Sequence, residues 1–119
     1  MKYDIKKQLR SFRYAYQGLR ACVGKEQNLS FHLVVALLVV VAGVLLRLSR
    51  MEWIAVTLCI GGVIGAELMN TAIERLVDMV SPTQNPQAGR VKDIAAAAVL
   101  LIAIAAAVVG LLIFIPKIL

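Results

Sequence analysis

"IAAAAVLLIAIAAAVVGLLIFI", residues 94–115, contains no charged side chain and no polar one. About 20 such residues in helical form cross the hydrocarbon core of a bilayer. The stretch reads as a transmembrane helix, with Pro116 and Lys117 as its stop.

Two further spans lie towards the N-terminus. "LSFHLVVALLVVVAGVLLRL", residues 29–48, is nearly as apolar, and Arg47 near its end can snorkel to the interface. The other begins near Trp53, an aromatic of the type found at membrane interfaces, and runs through "WIAVTLCIGGVIGA" to Ala66. That clean stretch is too short to cross alone. It must continue past Glu67, so its last turns are amphipathic and emerge into water. The expected spans are about 29–48, 53–80 and 92–115, with "SPTQNPQAG", residues 81–89, as a loop rich in turn residues.

Composition agrees. The chain has 119 residues, 61% of them hydrophobic, and a mean hydropathy of +0.83. So short a soluble domain cannot hide that much apolar surface. The net charge of +6 does not point to nucleic acid, because basic nucleic-acid binders are not this apolar. It fits loops held beside anionic lipid. Lys2, Lys6, Lys7, Arg10, Arg13, Arg20 and Lys25 precede the first span, and Arg75, Arg90 and Lys92 lie around the second connection. Only Arg47, Arg50 and Lys117 fall on the other side, which predicts a cytoplasmic N-terminus and an external C-terminus. Ile5, Leu9, Phe12, Tyr16 and Leu19 recur at near-helical spacing among basic residues, which predicts an amphipathic surface helix over about residues 3–24. Cys22 and Cys59 match no ligand spacing, and no cleaved signal peptide is expected. The fold class is thus an all-α membrane protein, one domain over residues 1–119, with three transmembrane helices and a surface helix.

"GAELMNTAIERLVDMV", residues 65–80, carries the chemistry. At 100° per residue, Glu67, Asn70, Glu74 and Asp78 fall within an arc of about 80°. Leu68, Met69, Ile73 and Leu76 take the other positions. A carboxylate at the bilayer centre costs roughly 2.5–3.5 kcal/mol on insertion scales, so this stripe needs compensation. One reading is a solvated helix end, with Glu74 and Asp78 in water and Arg75 paired to Asp78. Another is an ion pair to a distant Lys or Arg. A third gathers Glu26, Asp93 and Lys92 at the same depth. Carboxylates with a lysine at the membrane surface suit a hard cation such as magnesium, which commonly arrives with nucleotide phosphates. Phosphoryl transfer needs those residue types: a metal-binding carboxylate, a cation for the phosphate and a base for the attacking hydroxyl. No phosphate-binding glycine loop is present, and "GGVIG", residues 61–65, lies inside a span. A rival from another class, a non-enzymatic transporter subunit or assembly protein, would use the stripe to line an ion path.

The pattern E-x-x-N-T-A-I-E-x-x-x-D from Glu67 to Asp78, followed by K-D-x-A-A-x-A-V-L from Lys92, resembles the small bacterial integral-membrane lipid kinases, the diacylglycerol kinase and undecaprenol kinase family. "YQGLRACVGKEQNLSFH" resembles the family's N-terminal region, and the likeness runs from about residue 7 to residue 117. It implies ATP-dependent phosphorylation of a lipid alcohol by a homotrimer in the bacterial cytoplasmic membrane. It implies Glu67 as the catalytic base, and Glu26 and Glu74 as magnesium ligands. Tyr14, Glu26, Asn70, Glu74, Asp78, Lys92 and Asp93 fall on nucleotide-contacting positions. Lys7 stands where the diacylglycerol kinases carry an arginine, and a lysine cannot make the same bidentate fork. Asn28 and Trp53, with Glu67, match positions near the lipid. The stretches "NLSFH", "LSRMEW" and "VGLLIFIPK" look more like the undecaprenol kinase branch, so undecaprenol is the expected acceptor and diacylglycerol the alternative. His32 reads either as catalytic or as an interfacial residue capping a helix.

Overall fold

The computed structural model describes residues 2–119 as four helices: α1 (Ile5–Cys22), α2 (Gln27–Leu45), α3 (Arg50–Val80) and α4 (Pro86–Ile118). The last three are long and apolar enough to cross a membrane, and the chain is a multi-pass membrane protein. Asp4 caps α1, accepting a hydrogen bond from the Lys7 backbone N–H at 3.2 Å. Among the residues of α1 only Cys22 is buried.

Three of the element boundaries that differ from expectation have a clear local cause. α3 starts at Arg50, before Trp53, because Ser49 and Glu52 form a capping box. The Glu52 N–H donates to Ser49 Oγ at 3.2 Å, and the Ser49 N–H donates to Glu52 Oε1 at 2.9 Å. α4 starts at Pro86, so the expected loop 81–89 shrinks to 81–85. Pro86 sits in the first turn, where a missing N–H costs nothing, and Asn85 caps the helix by accepting from the Gln87 N–H at 2.9 Å. Pro116 does not stop α4, which continues to Ile118. A proline in the last turn removes only its own hydrogen bond, and the turn is held by the Lys117 Nζ–Glu52 Oε1 ion pair at 3.0 Å.

α2 ends differently from a typical glycine-stopped helix. Arg47 has φ 54°, the left-handed conformation. Its N–H donates to Val44 O at 3.3 Å and the Leu48 N–H donates to Gly43 O at 3.1 Å, which is a Schellman closure with arginine where glycine is usual.

α3 and α4 form an antiparallel hairpin and make the most extensive interface; α2 docks more sparsely on α3. Two ion pairs fix the direction of the hairpin: Glu52–Lys117 at one end and Asp78–Lys92 at the other. The 26-residue rise from Glu52 to Asp78 corresponds to about 39 Å, more than the roughly 30 Å hydrocarbon core. The apolar core sits at the Glu52 end, where buried Leu48, Val56 and Ile113 pack with Val39, Trp53 and Phe114. Gly43 allows that closure, since a Cβ there would lie 2.8 Å from both Leu48 Cδ1 and Trp53 Cη2. The opposite half of the bundle holds the polar stripe.

Candidate active site

The stripe on α3 divides by depth. Glu67 lies deepest and is only 4% exposed, with Asn70 and Thr71 buried beside it. Its partner comes from α2: His32 Nε2 stands 3.1 Å from Glu67 Oε1. One turn on, Asn70 Nδ2 donates to Glu74 Oε1 at 3.2 Å. Asn70 Oδ1 is buried and has no hydrogen-bond partner among the described residues. Next, Arg75 donates to Glu26 Oε1 at 3.2 Å, tying the N-cap residue of α2 to the turn of α3 that carries Glu74. Last, Lys92 Nζ lies 2.6 Å from Asp78 Oδ1, joining α4 to the exposed end of the stripe. Beside that pair opens a hollow of about 560 Å³, lined by Asp78, Ser81, Asn85, Gly89 and Lys92 among others.

The reading in which Arg75 pairs with Asp78 is not what the structure shows. Each takes a partner from another helix, Glu26 and Lys92 respectively. Glu67, Asn70, Glu74 and Asp78 lie along one face of α3; Lys92 meets Asp78 at its exposed end, and Glu26 meets Arg75, the residue after Glu74. Asp93, next to Lys92, is exposed. Asn28 is exposed in the first turn of α2. Lys7 and Tyr14 are exposed on α1, away from any packed interface. Trp53 is not at this site. It lies 14 residues before Glu67 on α3, about 21 Å away along the axis, and packs at the apolar end.

His32 is the residue whose partner the sequence reading leaves unassigned. It is not a helix cap, because Glu26 holds the N-cap position of α2. The usable signal was depth. From Phe31 to Leu46 the only polar side chain on the first span is His32, and the third span has none from Ile94 to Ile115. On the other two spans a buried Glu67 had no other polar side chain to meet at its level.

An apolar groove of about 300 Å³ runs from His32 towards the far end of the bundle. Phe31, His32 and Val35 of α2, Cys59 and Val63 of α3, and Ala106 and Phe114 of α4 are among its walls. The site thus has a greasy slot, a buried carboxylate behind its His32 wall, and two cationic side chains farther out.

No group of three His, Cys, Asp or Glu side chains gathers among the described residues. A dedicated all-protein cage is therefore not built here. Magnesium commonly takes only one or two carboxylates, with waters and substrate phosphates completing its octahedron. The residue types of Glu26 and Glu74 suit that use: each engages only Oε1 in the contacts above, and Asn70, hydrogen-bonded to Glu74, carries an unpartnered Oδ1.

A multi-span helical bundle with a buried carboxylate beside an apolar groove is suited to chemistry on a membrane lipid, and comparison with known proteins agrees. Residues 13–114 match the prokaryotic diacylglycerol kinase family, and the chain belongs to it. It is 40% identical over 114 residues to the undecaprenol kinase of Bacillus subtilis, covering 96% of this chain and 93% of that one. It is 39% identical over 112 residues to a diacylglycerol kinase of Synechocystis, covering 92% of this chain and 63% of that longer protein. The chain is a lipid kinase, a phosphotransferase, and the non-enzymatic rival is set aside.

Proposed function

We propose that the protein transfers the γ-phosphate of Mg-ATP to the hydroxyl of undecaprenol, giving undecaprenyl phosphate, at the cytoplasmic face of the bacterial membrane. The observation that carries the reading is Glu67: a carboxylate 4% exposed, 3.1 Å from His32, which is a wall of an apolar groove. Similarity to a protein named undecaprenol kinase across nearly the full length of both chains favours undecaprenol over diacylglycerol.

The steps follow from the residues. The lipid chain lies in the groove and brings its hydroxyl to Glu67. With Oε1 held by His32, Glu67 Oε2 takes the hydroxyl proton. The lipid oxygen forms a bond to the γ-phosphorus as the bond from that phosphorus to the bridging oxygen of the β-phosphate breaks, and ADP leaves with the electron pair. Lys92 has three N–H donors, of which one meets Asp78, so two remain for phosphate oxygens. Asn70, Glu74 and Asp78 line the path from Lys92 to Glu67, with Asp93 at its entrance. Magnesium held by Glu26 and Glu74 would neutralise charge on the nucleotide phosphates. The exposed Ile5, Leu9, Phe12 and Tyr16 suit α1 to the cytoplasmic membrane surface, where Lys7 and Tyr14 reach the nucleotide. Asn28 lies near the lipid headgroup and Trp53 near the far end of the lipid chain. The functional unit is a homotrimer.

The test is Glu67→Gln in detergent-solubilised protein supplied with radiolabelled ATP and, in parallel, undecaprenol and diacylglycerol. Glutamine keeps the size and still accepts from His32, so the fold is retained. A general base contributes about 10²–10⁴-fold, and turnover falls by that factor. A variant within tenfold of the parent removes Glu67 from the role of base. Preference of the parent for diacylglycerol overturns the choice of acceptor.

A further inference from the structure

We propose that His32 is a positioning residue for phosphoryl transfer, fixing the rotamer of Glu67 by donating its Nε2–H to Oε1. The inference rests on the reading of Glu67 as the proton acceptor. The contact is 3.1 Å long, and the side chains are 21% and 5% exposed. A carboxylate taken out of water is stable only when donors meet it. Among the described residues His32 is the one Lys, Arg or His side chain within ion-pair distance of Glu67. With Nε2 as the donor, the neutral ring leaves Nδ1 as an acceptor, so His32 does not compete for the hydroxyl proton on the side that faces Glu67.

Three features argue against a merely space-filling histidine. First, its ring does not cap α2, since Glu26 occupies the cap. Second, Phe31 packs edge-on against it, with ring centroids 5.5 Å apart and planes at 70°, which sets the plane of the imidazole. Third, His32 is also a wall of the apolar groove. One side chain therefore touches both the carboxylate and the slot through which the lipid hydroxyl arrives. Holding Oε1 leaves Oε2 as the oxygen presented to the acceptor. Without that hold the carboxylate turns, and the near-attack geometry on which the rate depends is lost.

The protein offers a clean probe, because His32 is its only histidine. Imidazole ¹⁵N resonances of the full-length, nanodisc-embedded protein are compared between the parent and Glu67→Gln, and kinetics with undecaprenol are measured for His32→Ala and His32→Gln. The expected results are a displaced imidazole resonance in Glu67→Gln and a fall in kcat of roughly a hundredfold for His32→Ala, of the size that misplaced reacting groups produce. KM for ATP stays within twofold. His32→Gln, whose amide N–H can donate in the same place, recovers at least tenfold over His32→Ala. A resonance unmoved by Glu67→Gln overturns the contact, and this holds even if His32→Ala fails to fold. An active parent with an equally active His32→Ala variant, or with His32→Gln no better than His32→Ala, overturns the positioning role alone. A parent that phosphorylates no lipid brings down both this inference and the kinase reaction on which it rests.

Discussion

Replacing Gly43 with alanine tests how α2 is held to the bundle. A Cβ at this position lies 2.8 Å from Leu48 Cδ1, 2.8 Å from Trp53 Cη2 and 3.2 Å from Leu48 Cγ. Carbon pairs are most favourable at about 3.5–4.0 Å, so both neighbours must retreat. Leu48 is buried against Val56 and Ile113, and the indole ring moves only as a whole. Overpacking of this kind costs about 1–3 kcal/mol. Alanine recovers about 0.8–1.0 kcal/mol of helix propensity over glycine. The balance is a loss of about 0–2 kcal/mol. Gly62→Ala is the control, because its Cβ meets only Ile102 Cδ1 at 2.8 Å, with the next atom of that side chain at 3.6 Å. That methyl rotates away, so the propensity gain survives and the variant is neutral or about 1 kcal/mol more stable. Denaturant titration of the two variants in one detergent reads the difference. Because α2 also carries His32, about 16 Å along the helix from Gly43, Gly43→Ala lowers activity as well. If Gly43→Ala is as stable as Gly62→Ala, the close approach at Gly43 is not what docks α2.

Two further variants probe the turn and the metal ligands. Arg47→Gly relieves a left-handed arginine that costs about 1–2 kcal/mol, partly offset by the freedom of glycine in the unfolded chain, so the free energy of unfolding rises by about 0.5–1 kcal/mol in denaturant titration; an unchanged or lower value refutes this. Arg75→Ala frees Glu26 Oε1 from an exposed pair worth up to about 1 kcal/mol, so half-maximal activity is reached at roughly two- to fivefold less magnesium. A higher magnesium requirement there removes Glu26 as a ligand in competition with Arg75.

What the sequence made legible follows the range of the physics involved. The spans are visible because apolar runs report directly on the solvent around them. The polar stripe is visible because Glu67, Asn70, Glu74 and Asp78 share one helix, and the 3.6-residue period sets their relative angles. The capping box at Ser49 and Glu52 was equally local, but apolarity draws attention to Trp53 and past it. Pro86 and Pro116 misled for a related reason: proline breaks helices in their interior and is harmless in the first turn, and its position in a helix is known only once the helix is placed. The pairings Glu67–His32, Glu26–Arg75 and Asp78–Lys92 were beyond local rules. Each depends on how one helix is rotated against another, and no periodicity within a single segment encodes that.

The division of labour along the bundle has a mechanical consequence. At the Glu52 end, a close-packed cluster, a capping box and the Lys117 ion pair hold α2, α3 and α4 together. At the Glu67 end the helices meet through hydrogen bonds and ion pairs. The groove joins the two ends: it starts at His32 and runs on to Val39, Val56, Ile60, Val109 and Phe114, which also belong to the packed cluster. The inner faces of those side chains fill the core, and their outer faces form a wall against which a lipid chain can lie without displacing a core contact. On this view the buried carboxylate is tolerable because one histidine holds it, and the slot keeps its shape because its far wall is the cluster that fixes the helices.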